Sequence, residues 1–132
     1  MTNFSSHLHS APDYSTVVWH DSETTTGVRF ATRRVSLAGR IELTRRVREL
    51  TLRHEFLKAG DSADQIEASL SELLVQRLLL EWGLLEVTGL IIDGAPGTPL
   101  TLIESGPEAL SDEIAATVRQ EIGLSEEERK NS

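Results

Sequence analysis

The segment from residue 62 to residue 83, SADQIEASLSELLVQRLLLEWG, constrains the fold more than any other part of the chain. Ser62 followed three residues later by Gln65 is a capping-box pattern, and Gly83 is a typical helix stop, so the segment predicts one long helix. Within it, the following residues recur at helical spacing: Ile66, Leu70, Leu73, Leu74, Arg77, Leu78 and Trp82. Leu79 and Leu80 make its second half apolar around much of the circumference, which requires burial on two sides.

A second helix is expected just before this one, from Ser36 as N-cap to about Lys58, with Gly60 as its stop. Its apolar stripe has spacings mostly of three or four residues and consists of Leu37, Ile41, Leu43, Val47, Leu50, His54 and Leu57. Because only the residues KAGDSA separate the two helices, we expect an antiparallel helical hairpin.

Two segments rich in β-branched and aromatic residues, YSTVVWHDS and GVRFATRRV, precede the helices. The polar loop ETTTG between them predicts a β-hairpin. In the second segment, alternate residues can pack against a core while arginines line the other face.

The residues that follow the helical hairpin change to an extended pattern. LLEVTGLIIDGAPGTPL predicts an extended segment that ends in a tight turn at Asp93 and the glycine after it. Thr98 followed by proline marks the start of a short helix. A C-terminal helix is expected with Pro107 in its first turn and Gly123 as its cap, because four apolar residues are in register: Leu110, Ile114, Val118 and Ile122.

These elements predict a single α+β domain that is predominantly α-helical, with an N-terminal β-hairpin, an antiparallel helical hairpin, a short extended segment and a C-terminal helix. We expect the globular domain to span residues 14–124. Residues 1–13 lack periodicity and are interpreted as a flexible N-terminal arm, and the polar residues 125–132 as a C-terminal tail.

The compartment is inferred from what the sequence lacks. The absence of cysteine excludes disulfides, thiolate metal sites and cysteine nucleophiles, and it fits a reducing cytosol. The N-terminus lacks the pattern of a secretory signal. Every apolar run is broken well short of the roughly 20 residues that span a bilayer. We therefore expect a cytoplasmic protein without a membrane partner.

No catalytic, cofactor or metal site is predicted. The sequence has no Gly-x-Ser-x-Gly motif and no phosphate-binding loop. Asp112 and Glu113 are adjacent, so a helix would point their carboxylates in different directions. His7 and His9, with His20 nearby, could share a metal ion if the arm folded back, but histidines in such a segment are usually solvated. We expect a protein without enzymatic activity.

Charge is distributed unevenly along the chain. Residues 29–58 contain nine basic and three acidic residues, a net charge of +6, whereas residues 59–132 contain four basic and fifteen acidic residues, a net charge of −11. Four arginines of the first long helix could neutralise nucleic-acid phosphates: Arg45, Arg46, Arg48 and Arg53. However, Glu42 and Glu49 lie one turn from several of them, and the basic segment has few aromatic residues for base stacking. This pattern disfavours nucleic acid and favours an acidic protein surface, on this chain or on another copy.

The order of motifs along residues 17–131 resembles small tail-assembly proteins of tailed bacteriophages and prophages. The resemblance rests on GVRF with a following RR and serine, on WGL, on GLIIDG, and on GPE with a closing GLSEEERKN. The corresponding residues are Trp19, 27–30, Arg33, Arg34, Ser36, Arg40, 82–84, 89–94, Pro96, Thr98, 106–108 and 123–131.

The resemblance implies a tail assembly chaperone, which coats the long apolar tape-measure helix before tail tube subunits polymerise around it. The implied partners are the tape-measure and tail tube proteins, and self-association into a homo-oligomer is a further expectation. Apolar helix faces left over after folding would bind the partner. We expect partner contacts at Leu74, Leu78, Leu79, Arg45 and Arg48.

Two other functions stay open at this point. The first is a nucleic-acid-binding regulator that uses the arginine-rich helix. The second is a structural tail or baseplate component that remains in the finished particle.

Overall fold

The structure is a computed structural model that describes residues 11–58 and 62–123, with side chains of residues 54–58 and 62–64 left out of the description. This part of the chain is mixed α+β and mainly helical, as predicted. Its elements are, in chain order, β1 (Val17–Asp21), β2 (Arg29–Arg33), α1 (Leu37–Lys58), α2 (Ser62–Gly83), β3 (Leu84–Thr88), β4 (Ile91–Ile92), β5 (Ala95–Pro96), α3 (Pro99–Ser105) and α4 (Glu108–Ile122).

The main sheet has three antiparallel strands in the order β1-β2-β3. The predicted hairpin of β1 and β2 is confirmed, with His20 opposite Phe30. β3 follows α2 without a loop and pairs with the other edge of β2, which places Val87 next to Phe30. The extended segment after the helical hairpin is therefore part of the same sheet as the N-terminal strands, a long-range pairing that the sequence analysis did not predict.

Local capping signals are confirmed where the structure describes them. The backbone N–H of Gly39 donates to Ser36 Oγ over 3.0 Å, which makes Ser36 the N-cap of α1. Thr98 and Thr101 satisfy each other's backbone N–H groups in a reciprocal capping box at the start of α3. α4 ends at Ile122 and is capped by Gly123, which has a left-handed conformation. Pro107 was expected inside the first turn of α4. It is instead the N-cap, and the helix begins at the next residue. The capping box at Ser62 lies outside the described side chains.

The predicted tight turn joins β4 to β5. Asp93 and Gly94 both have positive φ, 49° and 82°, which is the conformation that a two-residue type I′ hairpin requires. Aspartate tolerates this region better than most residues, and glycine adopts it without a steric penalty.

The core lies between α2, α4 and the inner face of the sheet. Fully buried side chains come from each of these elements and from α1 and α3, and the largest are Phe30, Leu43, Leu79, Leu102, Leu110, Ile114, Val118 and Ile122. At Gly83, a Cβ would lie only 2.7 Å from both methyl carbons of Val118. The absence of a side chain there lets the junction between α2 and β3 lie directly against α4.

The predicted antiparallel hairpin of α1 and α2 is confirmed, but both of its apolar stripes are partly wrong. In α1, Leu43 is buried and Val47 and Leu50 pack against the core. Leu37 and Ile41, predicted to share that stripe, are 78% and 62% exposed. The remaining members, His54 and Leu57, lie outside the described side chains, and Gly60 lies outside the described residues.

In α2, the predicted stripe faces the opposite way along the N-terminal half. Ile66, Leu70 and Leu73 are exposed, whereas Ala68 and Ser71 are buried. The two sets lie about half a turn apart on the helix, at roughly 100° per residue. The small residues form the side that packs, because they let a neighbouring helix approach closely. A pattern that weighs hydrophobicity alone selects the leucines instead.

Candidate functional site

The exposed side of α2 carries an apolar surface, the α2 stripe, which consists of Ile66, Leu70, Leu73 and Leu74. Their side chains are 71%, 46%, 58% and 38% exposed. Their spacing places them on one ridge of the helix. Exposed large apolar residues that cluster in this way are typical of interaction sites on proteins.

The α2 stripe ends where α2 comes into contact with α3 and α4. Gln76 donates a 2.6 Å hydrogen bond from Nε2 to Asp112 Oδ1 on α4, and Arg77 contacts Glu104 Oε1 on α3 at 2.7 Å. Leu80, one heptad after Leu73, is almost fully buried. The same side of α2 is thus covered near its C-terminal end and uncovered along its N-terminal half.

The exposed side of α1 carries a mixed apolar and basic surface, the α1 stripe, which consists of Leu37, Ile41, Arg45, Arg48 and Leu52. All five are exposed, and they recur at spacings of four, four, three and four residues. Among the residues that the structure describes, neither arginine of this stripe forms an ion pair.

Most other arginines of the basic segment are engaged within the chain. Arg29 pairs with Asp21 at 3.0 Å and stacks on Trp19, and Arg33 stacks on Trp82. Arg34 donates a hydrogen bond to the Ser15 carbonyl and lies over the Tyr14 ring. Arg40 donates to the Ile122 carbonyl, and Arg46 forms a salt bridge with Glu42. The expected partnership of Glu42 with Arg46 is confirmed at 2.6 Å, whereas no Glu49–Arg53 pair occurs in the described part of the chain.

The residues predicted to contact a partner fall in different environments. Leu74 belongs to the α2 stripe, and Arg45 and Arg48 belong to the α1 stripe. Leu78 is half-buried against the core. The expectation that Leu79 contacts a partner is not supported, because its side chain is fully buried in the core and offers no surface. Sequence reasoning missed Ile66 and Leu70 as surface residues, although the small residues Ala68 and Ser71, which are buried, were the available signal.

Glu113 on α4 holds the loop between β1 and β2. Its carboxylate accepts hydrogen bonds from Ser22 Oγ at 2.6 Å, from the Glu23 N–H at 2.6 Å and from Thr24 Oγ1 at 2.7 Å. Burial raises the pKa of Glu113, but these hydrogen bonds outweigh burial, and the net pKa is lower than the ordinary value. A carboxylate stabilised in its charged form by its own chain is suited to a structural role and poorly suited to proton transfer.

A surface depression of about 480 Å³ lies beside Glu113 and is lined mostly by polar and acidic residues. His20, at its edge, is hydrogen-bonded to Thr32 Oγ1 and stacked on Phe30. Asp112 binds Gln76 on the other side of α4, so the adjacent carboxylates point apart as expected. Within the described residues, no three histidine or acidic side chains form a metal-binding group, and His7 and His9 lie outside them.

Comparison with protein families, with curated proteins and with solved structures finds no match to this chain. No helix in the described residues is long and apolar enough to cross a membrane. The candidate site is therefore defined by surface chemistry, and the two exposed stripes of the helical hairpin are its main features.

Proposed function

We propose that this protein is a non-enzymatic tail assembly chaperone of a bacteriophage or prophage, acting in the cytoplasm of the bacterial host. The observation that carries the proposal is the α2 stripe, an uncovered apolar ridge on a helix that is otherwise well packed. The order of motifs in the sequence supports the same function by resemblance.

The α2 stripe suits a helical partner. Amphipathic helices bind through apolar anchors at spacings of three, four and seven residues, and Ile66, Leu70, Leu73 and Leu74 present that spacing. A tape-measure protein is a long apolar helix that needs such a cover before the tube forms. The tail tube protein would be the second partner. A net charge of −8 on the chaperone would help to keep the loaded complex dispersed.

Co-expression tests this function directly. Production of this chain together with the tape-measure protein of the same phage or prophage should raise the soluble yield of that protein, and Leu73→Asp should remove the gain. Leu100→Asp is the matched control, because Leu100 is equally exposed but lies on α3, away from the stripe. An unchanged yield with the wild-type chain would refute the proposal.

Retention in the particle separates a chaperone from a structural tail or baseplate component. A chaperone should be missing from purified particles analysed by mass spectrometry, whereas a structural component should be present in a fixed ratio to the tube protein. Detection in that ratio would replace the chaperone proposal with the structural one.

A nucleic-acid-binding regulator is the second candidate, favoured by the exposed Arg45, Arg48 and Arg53 on α1. Binding of this kind releases counterions, so its affinity should fall steeply as salt increases. Arg45→Glu combined with Arg48→Glu should abolish it in a filter-binding or anisotropy assay. Affinity that is undetectable or independent of salt eliminates this candidate.

A further inference from the structure

The α1 and α2 stripes share the same residue spacing over part of their length. In the α1 stripe, Ile41, Arg45 and Arg48 follow at intervals of four and three residues. The same intervals separate Ile66, Leu70 and Leu73 in the α2 stripe. Each of these series spans about two helical turns, roughly 10 Å at 1.5 Å per residue. Alternating intervals of three and four residues are the spacing with which two helices pack side by side.

The stripes are also complementary in charge. The α1 stripe contains Arg45 and Arg48, which have no ion pair in the described residues. Three exposed glutamates lie next to the α2 stripe or just beyond its C-terminal end: Glu67, Glu81 and Glu104. Arg77 is the single basic residue among them, and it already contacts Glu81 at 3.3 Å and Glu104 at 2.7 Å. The edge of the α2 stripe therefore keeps an excess of negative charge.

The two stripes of one chain cannot meet, because they lie on opposite outer sides of the hairpin. α1 packs on α2 through the side that carries Leu43 and Val47, and the α1 stripe is on the reverse side. α2 likewise buries Ala68 and Ser71 and exposes its stripe on the reverse side. Any pairing of the two stripes requires a second molecule.

We propose that the α1 stripe of one copy packs against the α2 stripe of a second copy. Apolar residues would bury each other, and Arg45 and Arg48 would meet the glutamates beside the α2 stripe. The contact joins two different surfaces, so each added copy leaves one stripe of each kind free at the ends. Such heterologous contacts build rings or open chains and do not close as a simple two-fold dimer.

This inference concerns the chain alone and does not depend on the proposed function. The two are connected by a shared surface, since a partner helix and a second copy would compete for the α2 stripe. The experiment therefore uses the purified chain without any partner, so that a failure here leaves the chaperone proposal intact.

Two complementary variants test the pairing by sedimentation velocity over a range of concentrations. Arg45→Glu with Arg48→Glu disables the α1 stripe, and Leu70→Asp with Leu73→Asp disables the α2 stripe. Wild type should increase in mass with concentration, and each variant alone should stay a monomer. An equimolar mixture of the variants should form a complex of about twice the monomer mass and nothing larger, because one functional stripe of each kind remains.

Ile91→Asp is the control, since Ile91 is an exposed apolar residue outside the hairpin, and it should associate as wild type does. Circular dichroism should show that every variant keeps its helical content. Three results would overturn the inference: a wild-type chain that stays monomeric, an arginine variant that still associates by itself, or a mixture of the variants that remains monomeric.

Discussion

The two halves of α2, taken as residues 62–74 and 75–83, contain three leucines each but differ in their surroundings. The C-terminal half lies against α3, α4 and the sheet, and it buries Leu79, Leu80 and Trp82. The N-terminal half leaves its three leucines and Ile66 exposed as the α2 stripe and buries the small residues Ala68 and Ser71. Hydrophobicity along a helix therefore does not by itself identify the side that faces the core. The neighbouring elements decide which apolar residues stabilise the fold and which are left for other contacts.

The largest effect is expected at Leu79. Leu79→Ala removes a fully buried side chain and leaves a cavity in the core, so the free energy of unfolding should fall by about 2–5 kcal/mol. Urea denaturation measures this loss. Leu79→Met is the control, since it nearly conserves volume and should cost less than about 1.5 kcal/mol. A loss below about 1 kcal/mol for the alanine variant would contradict the core position of Leu79.

The next effect tests how closely α2 approaches α4. Gly83→Ala would place a methyl group 2.7 Å from the methyl carbons of Val118, and this overpacking should cost about 1–3 kcal/mol. Val118→Ala in the same chain should relieve the clash, so a double-mutant cycle by urea denaturation should show a favourable coupling. Strictly additive effects of the two substitutions would rule out the close approach.

A smaller, pH-dependent effect is expected at Glu113. Its net pKa is lowered in the folded chain, so its contribution to stability is fully present above the pKa of the unfolded chain. That contribution should be lost as pH falls through the lower pKa of the folded chain. Glu113→Gln should therefore cost about 1 kcal/mol at neutral pH and should weaken the dependence of stability on acid pH.

Asp112→Asn is the matched control for Glu113, because the adjacent Asp112 makes a single exposed hydrogen bond with Gln76. Thermal unfolding at several pH values distinguishes the two variants. If the two substitutions lower the stability equally at every pH, the three hydrogen bonds from the β1–β2 loop do not make Glu113 more stabilising than Asp112.

Much of the local structure could be predicted from the sequence, because each signal acts between near neighbours. The caps at Ser36 and Thr98, the turn at Asp93 and the left-handed Gly123 all depend on residues within a few positions. The helical hairpin followed from two periodic segments and a short connection. These features require no knowledge of distant parts of the chain.

The contacts that define the candidate site could not be predicted in the same way. β3 pairs with β2 across more than fifty residues, and Glu113 binds a loop about ninety residues away. In α2, the sequence is compatible with packing through either of two sides of the helix. Which of Leu73 and Ser71 is buried depends on where α1 lies, and the structure buries Ser71. Leu79 was assigned to a partner surface because the sequence does not show which elements cover the C-terminal half of α2.

The smallest effect on stability is expected in the α2 stripe. Leu73→Lys replaces an exposed leucine by a residue of similar helix propensity, so the free energy of unfolding should change by less than about 0.5 kcal/mol. Urea denaturation at low protein concentration measures this without a contribution from association. A loss near that of Leu79→Ala would show that the chain itself covers the stripe. A neutral result would mean that Leu73 contributes nothing to the fold, and its apolar character would then be explained by contact with another molecule.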